Sequence, residues 1–484
     1  MRRKNSHNCT CPGRTAPVAT RREFLGQAST GFGMLALASL MADRAYAGLS
    51  SSVRAPHHRP IAKNVIFLFM DGGPSHVDTF DPKPALKTHE GEKIGEGAVS
   101  KRSQSSAERV WLSSPWTFRQ RGQSGLWVSD LFPNIAASAD QLCVVRSLVG
   151  EQPLHGQQNL LLHTGRVIGA APSLGSWVSY GLGTENRNLP GYVLLNNDWT
   201  PNGGWENFSS AFLPATHEAT LLRAKGKPVD NIEPADAPAL QRRKLDLLAA
   251  QDRRFAAKAS DASAIESAIR NYETAFRMQY LVPKLADVSR EPEHIRHMYG
   301  VDSANEFQKY YAVQCLRARR LIEAGVRFVE ITCPQIDNNN SPWDQHGKLK
   351  VKHEENAMIT EQSVAALIED LRRRGLLDET IVLWAGEMGR TPHTPKVHAD
   401  CGRDHHVDGY SIFLAGGGFK GGMAYGRTDE FGNVVVEHPL MIQDIHATIL
   451  HLLGLDHEKL TYRFGGRDVS LTDVHGRVVT ELLA

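Results

Sequence analysis

The sequence predicts an α/β fold with a mainly parallel central sheet sandwiched between helices, on three observations. Short apolar runs alternate with helical patterns along most of the chain. Several of those runs are apolar on both faces, as strands covered by helices on each side must be. Two long amphipathic helices are each followed by glycine and then directly by an apolar run, the order of an αβ crossover unit.

The first element is a leader. Residues 1–47 begin basic and polar, carry Thr20-Arg21-Arg22-Glu23-Phe24-Leu25, continue through a weakly apolar run from Ala28 to Met41, and end in Ala45-Tyr46-Ala47. That is the plan of a twin-arginine signal peptide with a signal-peptidase site, so the chain is expected in the periplasm or outside the cell. The apolar run is shorter than the ~20 residues that span a bilayer, so no stable membrane span is expected.

The expected strands are Val65 to Met70, Leu142 to Leu148, Val326 to Thr332, Thr380 to Trp384 and Ser411 to Ala415. In the clearest helix, about Glu355 to Arg374, Val364, Leu367, Ile368 and Leu371 share a face and Gly375 stands where a C-terminal cap belongs. A similar helix runs from about Ala304 to Ala324. A polar, Ser-rich stretch near 88–125 and a longer one near 196–300 interrupt the alternation. The second reads as a helical insertion, or as ordinary helices of one domain spanning 60–484.

Composition excludes the extreme classes. The 484 residues are 41% hydrophobic and 22% charged with a formal net charge of +2, and no Lys/Arg block follows the leader, so nucleic acid is not an expected partner. Cys143, Cys315, Cys333 and Cys401 are widely spaced, which argues against structural zinc and for free thiols.

Open α/β sheets bind ligands at the carboxyl ends of their strands, so polar residues just beyond the apolar runs are the candidates for chemistry. Asp71 begins the stretch Asp71-Gly72-Gly73-Pro74-Ser75-His76-Val77-Asp78, Asp344 and His346 follow the third run, Glu387 and Arg390 follow the fourth, and His405 and His406 precede the fifth. Three carboxylates (Asp71, Asp344, Glu387) and three imidazoles (His346, His405, His406) around one sheet edge would repel or remain unsatisfied without a cation, and they make a candidate divalent-metal set.

These residues carry a resemblance. The stretch Met70 to Lys83, the segment His155 to Arg166 ending in Thr164-Gly165-Arg166, Glu387-Met388-Gly389, the helix Asp444 to Gly454 and the tail Gly466-Arg467-Asp468 together resemble the alkaline phosphatase and sulfatase superfamily. More narrowly the chain looks like the bacterial sulfatase-like group catalogued as domain of unknown function 1501. The resemblance implies an alkaline-phosphatase-like fold and a metal-dependent hydrolase of sulfate or phosphate esters. Its substrate would be a small anionic ester or a sulfated or phosphorylated glycan. It places His155 at the nucleophile position, where the superfamily has Ser, Thr or a modified Cys, with Gly72 and Met388 where it has metal-ligating residues.

Three roles stay open for His155: metal ligand, nitrogen nucleophile, or base acting on water. Ser75 is the alternative nucleophile, and Arg166, Arg390 and His76 are the candidate substrate contacts. The imidazole-rich set favours Zn or Mn over Ca or Mg. A non-catalytic anion- or glycan-binding protein and a phosphotransferase or mutase are the competing readings.

Overall fold

The computed structural model describes residues 55–95, 99, 102, 108–196, 199–259, 262–336 and 341–484, so the expected leader lies outside the described residues. Eight strands form the central sheet: β1 (Asn64–Phe69), β2 (Leu142–Leu148), β3 (Tyr192–Asn196), β4 (Thr220–Arg223), β5 (Phe328–Thr332), β6 (Thr380–Ala385), β7 (Tyr410–Ala415) and β8 (Met423–Tyr425). Their order across the sheet is β8-β2-β7-β6-β1-β5-β3-β4. β1 sits near the middle, parallel to β5 (Val65 against Phe328) and to β6 (Val65 against Ile381). β7 alone runs antiparallel to its neighbours, β2 and β6.

β1 explains the sandwich. Its side chains alternate between faces, and Ile66 and Leu68 join the core under α5 (Glu306–Glu323) and α6 (Leu349–Arg373), while Val65, Phe67 and Phe69 join the core on the other face. That second core is closed by α1 (His155–Thr164), α2 (Leu174–Leu182) and α7 (Ile442–Leu452). Since both faces are dry, the strand needs no polar alternation.

The five expected strands and two expected helices are present near their expected bounds, except that the helix expected from about Glu355 begins earlier, at Leu349. The stretch near 88–125 holds a hairpin strand, Phe118–Arg121, paired with Leu126–Ser129. The stretch near 196–300 holds α3 (Pro238–Ala256) and α4 (Ser263–Ala286), but it also holds β4, which pairs with β3 at the sheet edge. β4 was not among the expected strands: four residues, Thr-Leu-Leu-Arg, are too short a run to signal one. All four cysteines described are free, and Cys143, Cys315 and Cys333 are buried. Among the described residues, no helix is long and apolar enough to cross a membrane.

Candidate metal centre

Parallel strands deliver their carboxyl ends to one edge, and the antiparallel β7 begins at that same edge. Asp71 and Glu387 follow β1 and β6 there, and His405 comes just before β7. Asp71 is fully buried. Its Oδ1 accepts from the Asn159 amide at 3.2 Å, while its Oδ2 has no hydrogen-bond partner. Glu387, equally buried, accepts from the Gly72 backbone N–H at 3.1 Å on each carboxylate oxygen.

Gly72 explains its own identity. Its φ is +108°, and a Cβ there would stand 2.5 Å from the Asp344 nitrogen and 2.7 Å from that of Trp343. The carboxylate that the superfamily pattern leads one to expect at this position has no room, and the loop that excludes it brings Asp344 in instead.

His155 is the first residue of α1, whose N-cap, Leu154, provides no side-chain cap. The helix ends at Gly165 in the left-handed conformation (φ +71°), where a Cβ would meet Leu471 O at 2.6 Å. At one end of the helix the His155 Nδ1 donates to Glu387 Oε1 at 2.5 Å, and its Nε2 lies 3.3 Å from Asp344 Oδ2. Four residues on, Asn159 reaches Asp71. Four further, His163 is buried against Glu330 at 2.8 Å and edge-on to Phe69. The i, i+4, i+8 stripe is what turns this face of α1 toward the site.

Asp344 gathers the second half of the cluster. Its Oδ1 lies 2.5 Å from Arg390 Nη1, 2.9 Å from His346 Nε2 and 3.3 Å from His405 Nε2. His346 Nδ1 donates to Asp404 Oδ1 at 2.7 Å, and the other Asp404 oxygen pairs with Arg109 at 2.7 Å. His405 Nδ1 donates to the Pro153 carbonyl at 2.7 Å, which leaves its Nε2 as a lone pair.

The electrostatics follow from this packing. Burial and then the charge of Glu387 push the Asp71 carboxyl well above the usual carboxylate range. For Asp344 burial acts in the same sense, but Arg390 and hydrogen bonds from His155 and His346 override it and hold the group well below that range. Burial opposes a charge on His155, yet hydrogen bonds to Asp344 and Glu387 push it up to about 9. His346, bonded to Asp344 and Asp404, also rises to about 9. His405 is lowered by burial.

A divalent cation fits these donors. A neutral His405 aims a lone pair at the Asp344 carboxylate, two acceptors face to face, with Arg390 Nη1 on the carboxylate oxygen and His346 Nε2 3.0 Å from His405 Nε2. On the other side of His155, Asp71 carries a buried oxygen with no donor beside a second buried carboxylate. Ligand atoms of Asp71, His155 and Glu387 lie within 4.8 Å of one another, and so do those of His155, Asp344 and His405.

Four expected site residues stand elsewhere. His406 follows His405 on a two-residue strand pairing with Gly389–Arg390, and the period of two turns it to the opposite side, where it stacks on His76 with centroids 5.9 Å apart. His76 Nε2 is hydrogen-bonded to the Gly432 carbonyl at 2.8 Å. The Ser75 hydroxyl donates to Asp78 at 2.5 Å, and Asp78 in turn is paired with the buried Arg403 at 2.6 Å. Arg166 lies beyond the far end of α1, about 15 Å of helix from His155, and pairs with Asp473 at 3.1 Å. Arg390 is in the cluster but fully buried: besides Asp344 it donates to the carbonyls of Gly72 and of Gly73 (3.1 Å), so it fastens the Asp71 loop and has no donor turned to solvent. Asn159, Asp404 and Pro153 were not singled out from sequence. The i, i+4 spacing from His155 could have flagged Asn159, and the acid preceding His405 could have flagged Asp404.

No curated protein matches the chain. Among solved structures it is similar to a sulfatase from a Pseudoalteromonas species (13% identity, covering 93% of this chain and 75% of that one, TM-score 0.37). It is also similar to the alkaline phosphatase of the Antarctic bacterium TAB5 (8%, 81% and 98%, TM-score 0.33) and to the lipoteichoic acid synthase LtaP of Listeria monocytogenes (8%, 87% and 78%, TM-score 0.33). Residues 62–483 match the family model described as Protein of unknown function (DUF1501), and the chain belongs to that family.

Proposed function

We propose that this is an exported, metal-dependent hydrolase of sulfate or phosphate esters, acting on a small anionic ester or on a sulfated or phosphorylated glycan. The observation that carries it is the convergence of three carboxylates and three imidazoles on one sheet edge, with an unpartnered oxygen of Asp71 buried among them. Asp71, Glu387, Asp344, His346, His405 and His155 would hold the metal, and the mixed nitrogen and oxygen donors favour Zn or Mn over Ca or Mg. When bound, the metal supplies Lewis-acid polarisation of the ester oxygens.

The protein's own groups do the rest. His346, whose side chain is 44% exposed, is the most open member of the cluster and marks the side from which an ester enters. The N-terminus of α1 points its first-turn amides and its dipole at the same place, which suits an anionic sulfuryl or phosphoryl group. Neither Ser75, bound to Asp78, nor His155, with both ring nitrogens turned to carboxylates, is free to attack, so water is the nucleophile.

The competing reading, a non-catalytic anion-binding protein, draws support from that same missing side-chain nucleophile. Turnover separates the two. Chelated mature protein, resupplied with Zn or Mn, is expected to hydrolyse an aryl sulfate or a phosphomonoester, and Asp71→Ala is expected to lose both metal and turnover. Saturable sulfate or phosphate binding with no turnover across aryl sulfates, phosphomonoesters and phosphodiesters supports the binding protein instead.

A further inference from the structure

The two groups of donors at the sheet edge have one residue in common, and that residue is His155. Its ring nitrogens face different partners: Nδ1 is 2.5 Å from Glu387, which stands beside Asp71, and Nε2 is 3.3 Å from Asp344, which stands beside His405. The lone pairs of an imidazole diverge in the ring plane, so one cation cannot take both nitrogens. We propose that His155 is a bridging ligand between two divalent cations, one held by Asp71, Glu387 and Nδ1, the other by Asp344, His405 and Nε2.

This rests on the reading of the cluster as a metal centre, and it adds the number of cations and the role of the histidine. With Asp71, Glu387 and Asp344 ionised and the bridging ring an imidazolate, four negative charges face two divalent ions, and Arg390 sits on Asp344 alone among the three carboxylates. Forming the bridge releases the ring protons of His155 to solvent, and no other reactant is needed.

Neighbouring groups complete each half. Asn159 Oδ1, buried beside Asp71 and without a hydrogen-bond partner, offers the first ion a further oxygen. His346 Nε2, 2.9 Å from Asp344 and 3.0 Å from His405 Nε2, offers the second ion a further nitrogen. The ring itself is fixed. It opens α1, its side chain is 10% exposed, and the His405 ring packs edge-on against it at 4.2 Å.

The test loads chelated mature protein with Cu(II), washes away loosely held ions, and compares copper per chain with the spins integrated by electron paramagnetic resonance at low temperature. Two copper ions per chain, with fewer than half the spins of two isolated ions because the imidazolate couples them, are the expected result. Full isolated signals should return as acid protonates the bridge. One copper per chain, or two with full uncoupled intensity at neutral pH, overturns the proposal. In His155→Gln copper should fall to one ion or none, with any remaining signal uncoupled; two ions retained overturns it as well. Should that variant not fold, Asp71→Asn serves in its place, with one uncoupled copper expected and a coupled pair contradicting the bridge. Absence of ester turnover in the unsubstituted protein would refute the hydrolase reading and leave the copper count unaffected.

Discussion

Removing the titrating group at the centre of the cluster, with His155→Gln in metal-free protein, gives a pH-dependent stability change whose sign and size the structure fixes. In the folded chain His155 is raised from 6.5 to about 9, because hydrogen bonds to Asp344 and Glu387 outweigh the cost of burial. A raised histidine stabilises the fold in full below its unfolded value near 6.5, and that contribution is lost as pH rises through about 9. The difference corresponds to about 3 kcal/mol, at ~1.4 kcal/mol per pH unit. His346 moves the same way, but its side chain is 44% exposed and solvent screening leaves it a minor share. Above about pH 8.5 the buried thiols of Cys143, Cys315 and Cys333, all raised by burial, weaken the fold in the same direction. The informative quantity is therefore the difference between parent and variant, in which the thiols cancel. Urea unfolding with chelator present at pH 6, 8 and 10 should show an advantage of the parent that shrinks by about 3 kcal/mol across that range. A difference that stays flat, or grows with pH, would show that His155 is not held as a cation between Asp344 and Glu387, and the electrostatic account of the cluster would fail.

Three further outcomes follow from particular contacts. Gly72→Ala places a Cβ 2.5 Å from the Asp344 nitrogen at φ +108°, so unfolding free energy should drop by about 2–5 kcal/mol and zinc binding should weaken as Asp344 is displaced. Equal stability and affinity would contradict the packing of the two loops. Arg403→Ala leaves Asp78 ionised and unpaired in a site where both side chains are fully buried, and urea titration should record a loss of about 3–5 kcal/mol. Asp404→Ala frees the Nδ1 of His346, and competition with a chromophoric chelator should show zinc affinity lower by about 10- to 100-fold; an unchanged affinity would remove His346 from the metal set.

The sheet was legible because burial on both faces writes itself into the sequence as unbroken apolar runs, as at Val65 to Met70. β4 was not, since four residues at a sheet edge carry too little pattern to stand out from a helical surrounding. At the site, the rule that ligands gather at the carboxyl ends of strands located Asp71, Asp344 and Glu387, and the short distance to β7 located His405. That rule gives an address and no direction. His405 and His406 are equivalent by position, and only the alternation along their short strand, fixed by pairing with Gly389–Arg390, sends one to the cluster and the other to His76. Arg166 and Arg390 show the same limit. A guanidinium near a motif can face substrate, bind a carboxylate at the surface, or fasten a loop from behind, and tertiary contacts alone decide among these.

The claim on which the rest depends is that this cluster is a metal centre. Crystals of the mature chain grown with zinc, measured on both sides of the zinc absorption edge, test it directly. The account predicts anomalous density within bonding distance of Asp71, Glu387 and His155, and a second peak beside Asp344 and His405. Zinc found only at surface histidines, with hydrogen-bonded side chains and no anomalous density at the sheet edge, would contradict it.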